Sequence, residues 1–208
     1  MNRPGKIVCV GRNYVEHAAE LGNVVPERPL LFLKPPSAVI LDGEPIVLPP
    51  DSQRVEHEGE IGVVIGARIR SCSEGDALEA VAGITCVNDV TARDLQKTDG
   101  QWTRAKGFDT FCPVGPRVVP LGELAPLEEL EVLCRVNGAE RQRGRAAAMA
   151  FGIPQLLAYI SAVMTLEPGD LVATGTPAGV GPLEAGDMVE VEIPGVGVLT
   201  NPVVTAPA

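Results

Sequence analysis

The stretch His57-Glu58-Gly59-Glu60-Ile61-Gly62-Val63-Val64-Ile65-Gly66 restricts this chain more than any other. Apolar residues alternate at Ile61, Val63 and Ile65 before a glycine, the period of a β-strand over residues 58–65. Residues two apart on a strand share a face, so Glu58 and Glu60 project together while the apolar set packs on the other side. Gly62 and Gly66 continue the carboxylate face, with only Val64 between them, so open space is expected beside it. Adjacent carboxylates repel, and burying them unpaired is costly. A divalent cation held by oxygen ligands is the most economical counter-charge.

With 208 residues and 45% hydrophobic side chains, the chain can build a real core, and one domain over residues 1–208 (core about 6–203) is expected. A net charge of −10 argues against a nucleic-acid surface and against anionic membranes. The start, Met1-Asn2-Arg3-Pro4-Gly5-Lys6, leads straight into a short strand rather than a signal peptide, and no apolar run is long enough to span a bilayer. Five cysteines, odd in number and without a CxxC pair, read as free buried thiols in a reducing cytoplasm.

The pattern predicts strands at 7–10, 30–34, 46–48, 58–65, 83–88, 131–136, 171–174, 188–193 and 198–203. Helices are predicted at 14–21, 73–81 and 151–164, the last with Pro154 tolerable in its first turn. Asn137-Gly138 signals a hairpin. Residues 90–102 read as a polar stretch. Many short strands, few helices and 23 glycines define a β-rich α+β domain.

Four groups of residues can carry chemistry. Glu58, Glu60 and Asp89 offer three oxygen donors suited to Mg²⁺, Mn²⁺ or Ca²⁺; the alternative is solvent-facing charges on strand edges. His17 and Glu20 share a helix face, so the carboxylate can orient the imidazole for general-base work; the alternative is an ordinary surface pair. Both histidines stand beside candidate catalytic carboxylates, since His57 precedes Glu58. Lys106, among small residues, can steady an oxyanion or enolate, or be a solvated loop lysine. The run Thr174-Gly175-Thr176-Pro177-Ala178-Gly179-Val180-Gly181-Pro182 can grip a carboxylate through backbone N–H groups and threonine hydroxyls, or be a plain cluster of turns.

In order, these segments are Val10-Gly11-Arg12-Asn13-Tyr14 with His17 and Glu20, Leu33-Lys34-Pro35-Pro36-Ser37, His57-Glu58-Gly59-Glu60, Asn88-Asp89-Val90-Thr91-Ala92-Arg93-Asp94 with Gln96, Ala105-Lys106-Gly107-Phe108-Asp109 and Thr174-Gly175-Thr176-Pro177. Together they resemble the fumarylacetoacetate hydrolase family, in its small single-domain acylpyruvase and bacterial isomerase/decarboxylase branch. That resemblance implies a mixed β-roll or barrel-like fold, a homodimer and a bound Mg²⁺ or Mn²⁺. It implies that Glu58, Glu60 and Asp89 hold the metal and that His17 and Glu20 activate water. It further implies that Lys106 and Gln96 stabilise developing negative charge, and that Arg12 and Thr176 help hold a substrate carboxylate.

The reaction so implied is metal-dependent cleavage of a C–C bond in 2,4-dioxo acids such as acylpyruvates, through a His-Glu activated water and a metal-stabilised enolate. The same enolate serves two alternatives: isomerisation and decarboxylation of hydroxyheptadienedioate and oxopentenetricarboxylate intermediates, and decarboxylation or tautomerisation of oxaloacetate. A non-catalytic metal- or ligand-binding protein is the reading from another class. Two departures stand out: residues 144–151 replace a more polar stretch of relatives, and the loop at 23–28 is short for a lid. An aromatic content of 3% favours short aliphatic substrates.

Overall fold

The computed structural model describes residues 3–20 and 22–206. Leu21, the expected end of the first helix, and both chain ends lie outside the described residues. The chain opens with β1 (Ile7–Gly11), α1 (Val15–Glu20), β2 (Leu30–Lys34), β3 (Val39–Ile40) and β4 (Ile46–Leu48). It continues through β5 (Val55–His57), β6 (Gly59–Ile65), α2 (Glu74–Glu79), β7 (Val81–Asn88) and β8 (Thr91–Ala92). Next come α3 (Arg93–Thr98), α4 (Thr103–Gly107), β9 (Cys112–Val119), β10 (Glu131–Val136), β11 (Ala139–Arg145) and α5 (Ile153–Val163). The strands β12 (Leu171–Ala173), β13 (Gly181–Pro182), β14 (Met188–Ile193) and β15 (Gly197–Thr205) complete it.

Seven strands form one sheet in the order β2-β1-β12-β6-β7-β9-β3, and five form a second in the order β11-β10-β14-β15-β4. Ile61, Val63, Ile65 and Ile84 of the first pack against Val132, Cys134, Val191 and Leu199 of the second in the larger apolar core. A smaller core, with Ile7, Cys9, Val64, Val87 and Cys112, lies on the other face of the seven-stranded sheet. The strand-rich α+β architecture is therefore as expected.

The strand expected at 58–65 is broken at Glu58, between β5 and β6. Its apolar alternation packs as anticipated, but all seven residues of β6 are buried, so both faces are covered. The open space expected beside Gly62 is filled: a Cβ there would lie 2.4 Å from Val87 Cγ2 and 3.0 Å from Thr85 Cγ2. The glycine admits the side chains of β7, its hydrogen-bonded neighbour, rather than a ligand.

Asn137 (φ 53°) and Gly138 (φ 76°) make the left-handed pair of a two-residue hairpin turn, as their sequence signals. In α5, Ile153, Leu156, Leu157 and Ile160 are buried at helical spacing, with Pro154 in the first turn. Two stretches carry no legible signal. The stretch at 112–119 has prolines at 113 and 116 yet forms β9, and the supposed polar stretch folds into β8 and α3. Cys9, Cys86, Cys112 and Cys134 are buried free thiols, and Cys72 is half-buried and free. Among the described residues no helix is long and apolar enough to cross a membrane.

Candidate active site

The break at Glu58 is what brings three carboxylates together. Gly59 pairs with Asn88 across β6 and β7, and Asn88 Oδ1 accepts from Glu58 N at 2.9 Å. Asp89 N then donates to Glu58 O at 2.8 Å, turning the Asp89 side chain toward the two glutamates. One oxygen from each of Glu58, Glu60 and Asp89 lies within 4.8 Å of the others. None of the three residues exceeds 5% exposure, so the solvated-edge alternative is excluded.

Buried cations answer most of this charge. Lys106 Nζ donates to Glu58 Oε2 at 2.8 Å and to Asp89 Oδ2 at 2.6 Å. Lys34 Nζ donates to Asp89 Oδ1 at 2.5 Å and to Val90 O at 3.1 Å. Arg93 spreads three nitrogens over Glu56 (2.7 Å), Glu58 (2.5 Å) and Gln96 (2.5 Å). Burial opposes charge on Lys106, but Asp89 and Glu58 outweigh it and hold the ammonium above its ordinary pKa. Burial likewise opposes ionisation of Glu58, yet Lys106 and Arg93 pull its carboxyl well below the usual range.

Glu60 is the exception. Among the described residues it has no ion-pair partner; its Oε2 accepts only from Gly175 N, at 2.8 Å. Burial, then the charges of Asp89 and Glu58, push its carboxyl well above the usual range. Three hard oxygen donors, one of them buried without a counter-charge, suit a divalent cation such as Mg²⁺ or Mn²⁺. The donor set fits.

The helix α1 supplies the second group. His17 Nδ1 lies 3.2 Å from Glu20 Oε2, and the imidazole is buried. Both Glu20 oxygens also accept from Gly179 N, at 3.0 and 3.2 Å. A carboxylate only accepts, so Nδ1 carries a proton and Nε2 is left for proton transfer. His17, Glu20, Glu58, Glu60, Asp89, Lys106, Arg12, Gln96 and Thr176 all line one cavity of about 470 Å³. Every residue singled out in the sequence for this site is thus brought together.

Their roles are more constrained than the motifs reveal. Gln96 turns its oxygen to Arg93, a pure donor, so the NH₂ is its free end. The Thr176 hydroxyl donates to Gly59 O at 2.8 Å and accepts from Gln142 Nε2 at 2.7 Å, so its proton is already committed. Arg12 holds a left-handed backbone (φ 58°), and its guanidinium lies 5.9 Å from the centre of the Trp102 ring. Phe32 meets Trp102 edge-on at 5.3 Å. Few as the aromatic residues are, an indole and a phenyl ring sit in this cavity.

His57 does not join the site. It turns to the opposite side of the strand, where its Nδ1 lies 3.0 Å from Gln142 Oε1 and 3.4 Å from Cys134 Sγ. Sequence reading missed Arg93, Gln142 and the charge-balancing role of Lys34. A lysine closing an apolar strand, Leu30–Lys34, was the one available signal for the last. Residues 144–151 line none of this cavity, whereas Asn23 of the short loop does.

Fold and site together define a strand-rich enzyme domain built around a buried carboxylate triad. Residues 6–204 match the family described as Fumarylacetoacetate (FAA) hydrolase C-terminal, and the chain belongs to that family. It is 45% identical to oxaloacetate tautomerase fahd-1, mitochondrial, of Caenorhabditis elegans, over 91% of this chain and 89% of that protein. It is 44% identical to oxaloacetate decarboxylase, mitochondrial, of Dictyostelium discoideum, with the same coverage of each. Among solved structures, 5-carboxymethyl-2-hydroxymuconate delta-isomerase from Mycobacterium smegmatis superposes with a TM-score of 0.91 at 48% identity, over 99% of this chain and 81% of that one.

Proposed function

We propose that this chain is a divalent-metal-dependent enzyme that carries a small 2-oxo acid through its enolate, with oxaloacetate as the favoured substrate. The observation that carries this reading is the buried, partly uncompensated triad of Glu58, Glu60 and Asp89 facing the same cavity as the His17–Glu20 pair. Bound there, a divalent cation would supply Lewis-acid stabilisation of negative charge on the 2-oxo oxygen.

The chain's own residues do the rest. In decarboxylation the C3–C4 bond breaks, CO₂ leaves, and the electron pair becomes the C2–C3 enolate. In tautomerisation a C3 proton leaves instead, and the C2–C3 enolate that forms keeps the C4 carboxylate. His17 Nε2, with Nδ1 held by Glu20, is the group to take a proton from C3 or return one. The Lys106 ammonium and the Gln96 NH₂ offer donors to developing charge. Arg12 and Lys97, on the cavity wall without ion pairs among the described residues, suit the second carboxylate of a dianion. The names of the relatives support the same substrate.

One observation favours a second reading, hydrolysis of 2,4-dioxo acids: the oriented imidazole of His17 can equally activate a water. Attack on the distal carbonyl would then break the C3–C4 bond, releasing a carboxylic acid and the enolate of pyruvate. Purified protein, stripped of metal and resupplied with Mg²⁺ or Mn²⁺, is assayed for loss of oxaloacetate and of acetylpyruvate, with pyruvate as product. Metal-dependent oxaloacetate turnover above the metal-only background supports the first reading, and acetate release from acetylpyruvate the second. Neither activity, and no metal-dependent speeding of C3 proton exchange in oxaloacetate, in protein that binds the metal, overturns both.

A further inference from the structure

Gln142, on β11, spends its whole amide on groups that support the site. Its Oε1 accepts from Gly59 N at 3.0 Å and faces His57 Nδ1 at 3.0 Å. Its Nε2 donates to Thr176 Oγ1 and to Pro177 O, both at 2.7 Å. Two backbone groups of opposite character, Gly59 N–H and Pro177 C=O, fix which end of the amide is which. His57 must then donate from Nδ1. At 2% exposure, no water can replace these bonds cheaply.

What these bonds reach matters more than their number. Gly59 is the residue between Glu58 and Glu60, so its peptide sets the angle between two of the triad carboxylates. Thr176 and Pro177 belong to the glycine-rich loop at 174–181. That loop donates Gly175 N to Glu60 and Gly179 N to Glu20. The loop lies hard against β11: a Cβ on Gly179 would sit 2.0 Å from Arg141 O, and one on Gly144 would sit 2.5 Å from Pro177 Cβ. Gly179 (φ 99°) therefore has neither the room nor the backbone for another residue.

We propose that Gln142 is a positioning residue that couples the carboxylate triad to the His17–Glu20 pair, with His57 locking its amide from behind. The proposal rests on the metal-site reading above. Gln142 touches no substrate; it acts through Gly59 on one side and through the loop on the other.

The two sides can be separated. Gln142→Met removes all four bonds at similar size, whereas Gln142→Glu keeps the acceptor for Gly59 and His57 and loses both donors to the loop. Mn²⁺ affinity is measured by the free-ion resonance signal, beside kcat and KM for oxaloacetate and the unfolding midpoint. Gln142→Met is expected to weaken Mn²⁺ binding about tenfold and to lower kcat, the scale typical of groups that orient metal ligands. Gln142→Glu is expected to hold Mn²⁺ within about threefold of the wild type while kcat falls about tenfold. Folded Gln142→Met with wild-type Mn²⁺ affinity and kcat overturns the coupling. Should that variant not fold, a Gln142→Glu protein with unchanged kcat, or with metal affinity lost as deeply as turnover, overturns it instead. Failure of the wild type itself to bind Mn²⁺ sinks the metal-site reading, a result distinct from any ratio between variants.

Discussion

The Lys106 ammonium stands 2.8 Å from Glu58 Oε2, both groups withdrawn from solvent. It reaches Asp89 from the same position, so one lysine bridges two of the three triad carboxylates. Lys106→Met would leave both facing each other with less compensation. Removing one partner of a buried pair costs about 3–5 kcal/mol. Denaturant unfolding in chelator should show a loss on that order, part of it recovered by saturating Mg²⁺. Equal stability of the two proteins in chelator would contradict this account of the site.

Glu60 should be indispensable to metal binding. Glu60→Gln keeps the shape and the bond from Gly175 but removes the charge, and Mn²⁺ affinity is expected to fall by more than about 100-fold. Titration calorimetry reads this directly.

His17→Ala and Glu20→Gln should leave metal affinity near wild type while turnover falls. The expected loss in kcat is about 10²–10⁴-fold, the usual share of a positioned acid–base group. Parallel loss of metal affinity in either variant would show that α1 serves the metal rather than proton transfer.

Metal binding should depend on pH through Glu60. Burial, Asp89 and Glu58 raise its carboxyl pKa, so the metal-free site holds a proton there to higher pH than an ordinary glutamate. Ligation needs the carboxylate, so binding expels that proton, and affinity weakens as pH falls through the raised pKa. The sign for stability is opposite in the metal-free protein. A raised carboxyl pKa contributes stability at low pH that is lost as pH rises and the third carboxylate ionises. Proton release measured in two buffers of different ionisation enthalpy tests the first statement, and chelated unfolding against pH tests the second.

Arg12→Met should discriminate between substrates. If the guanidinium over Trp102 receives a second carboxylate, KM for oxaloacetate should rise about 10–100-fold, the worth of a charge-assisted hydrogen bond. KM for acetylpyruvate, which lacks that carboxylate, should change far less. Equal changes for both would place Arg12 elsewhere in recognition.

Period and turn chemistry made much of this fold readable. Leu30–Lys34, Ile46–Leu48 and Met188–Ile193 fall where alternation puts them, and Asn137-Gly138 turns as its φ requirements demand. The strand β9 was hidden because Pro113 and Pro116 mimic a loop. At the site, ordered motifs located the carboxylate triad, the His17–Glu20 pair, Lys106, Arg12, Gln96 and Thr176, but not the partners they take, nor Phe32, Lys97 and Trp102 on the cavity wall. Which side His57 takes depends on the break at Glu58, and what Gly62 faces depends on the register with β7. Both are long-range facts that no local pattern encodes. Gln142 illustrates the limit most clearly, since its partners lie 34 to 85 positions away.

The most direct test of the central claim follows the C3 protons of oxaloacetate in D₂O by proton magnetic resonance, alongside pyruvate formation, because each reaction considered for this substrate passes through a C2–C3 enolate. With Mg²⁺, the wild-type protein should speed deuterium uptake or pyruvate appearance well above the metal-only background, and chelator or Glu60→Gln should abolish the gain. A Glu60→Gln protein that retains the wild-type rate, or a wild-type rate indifferent to chelator, would contradict an enolate formed at Glu58, Glu60 and Asp89.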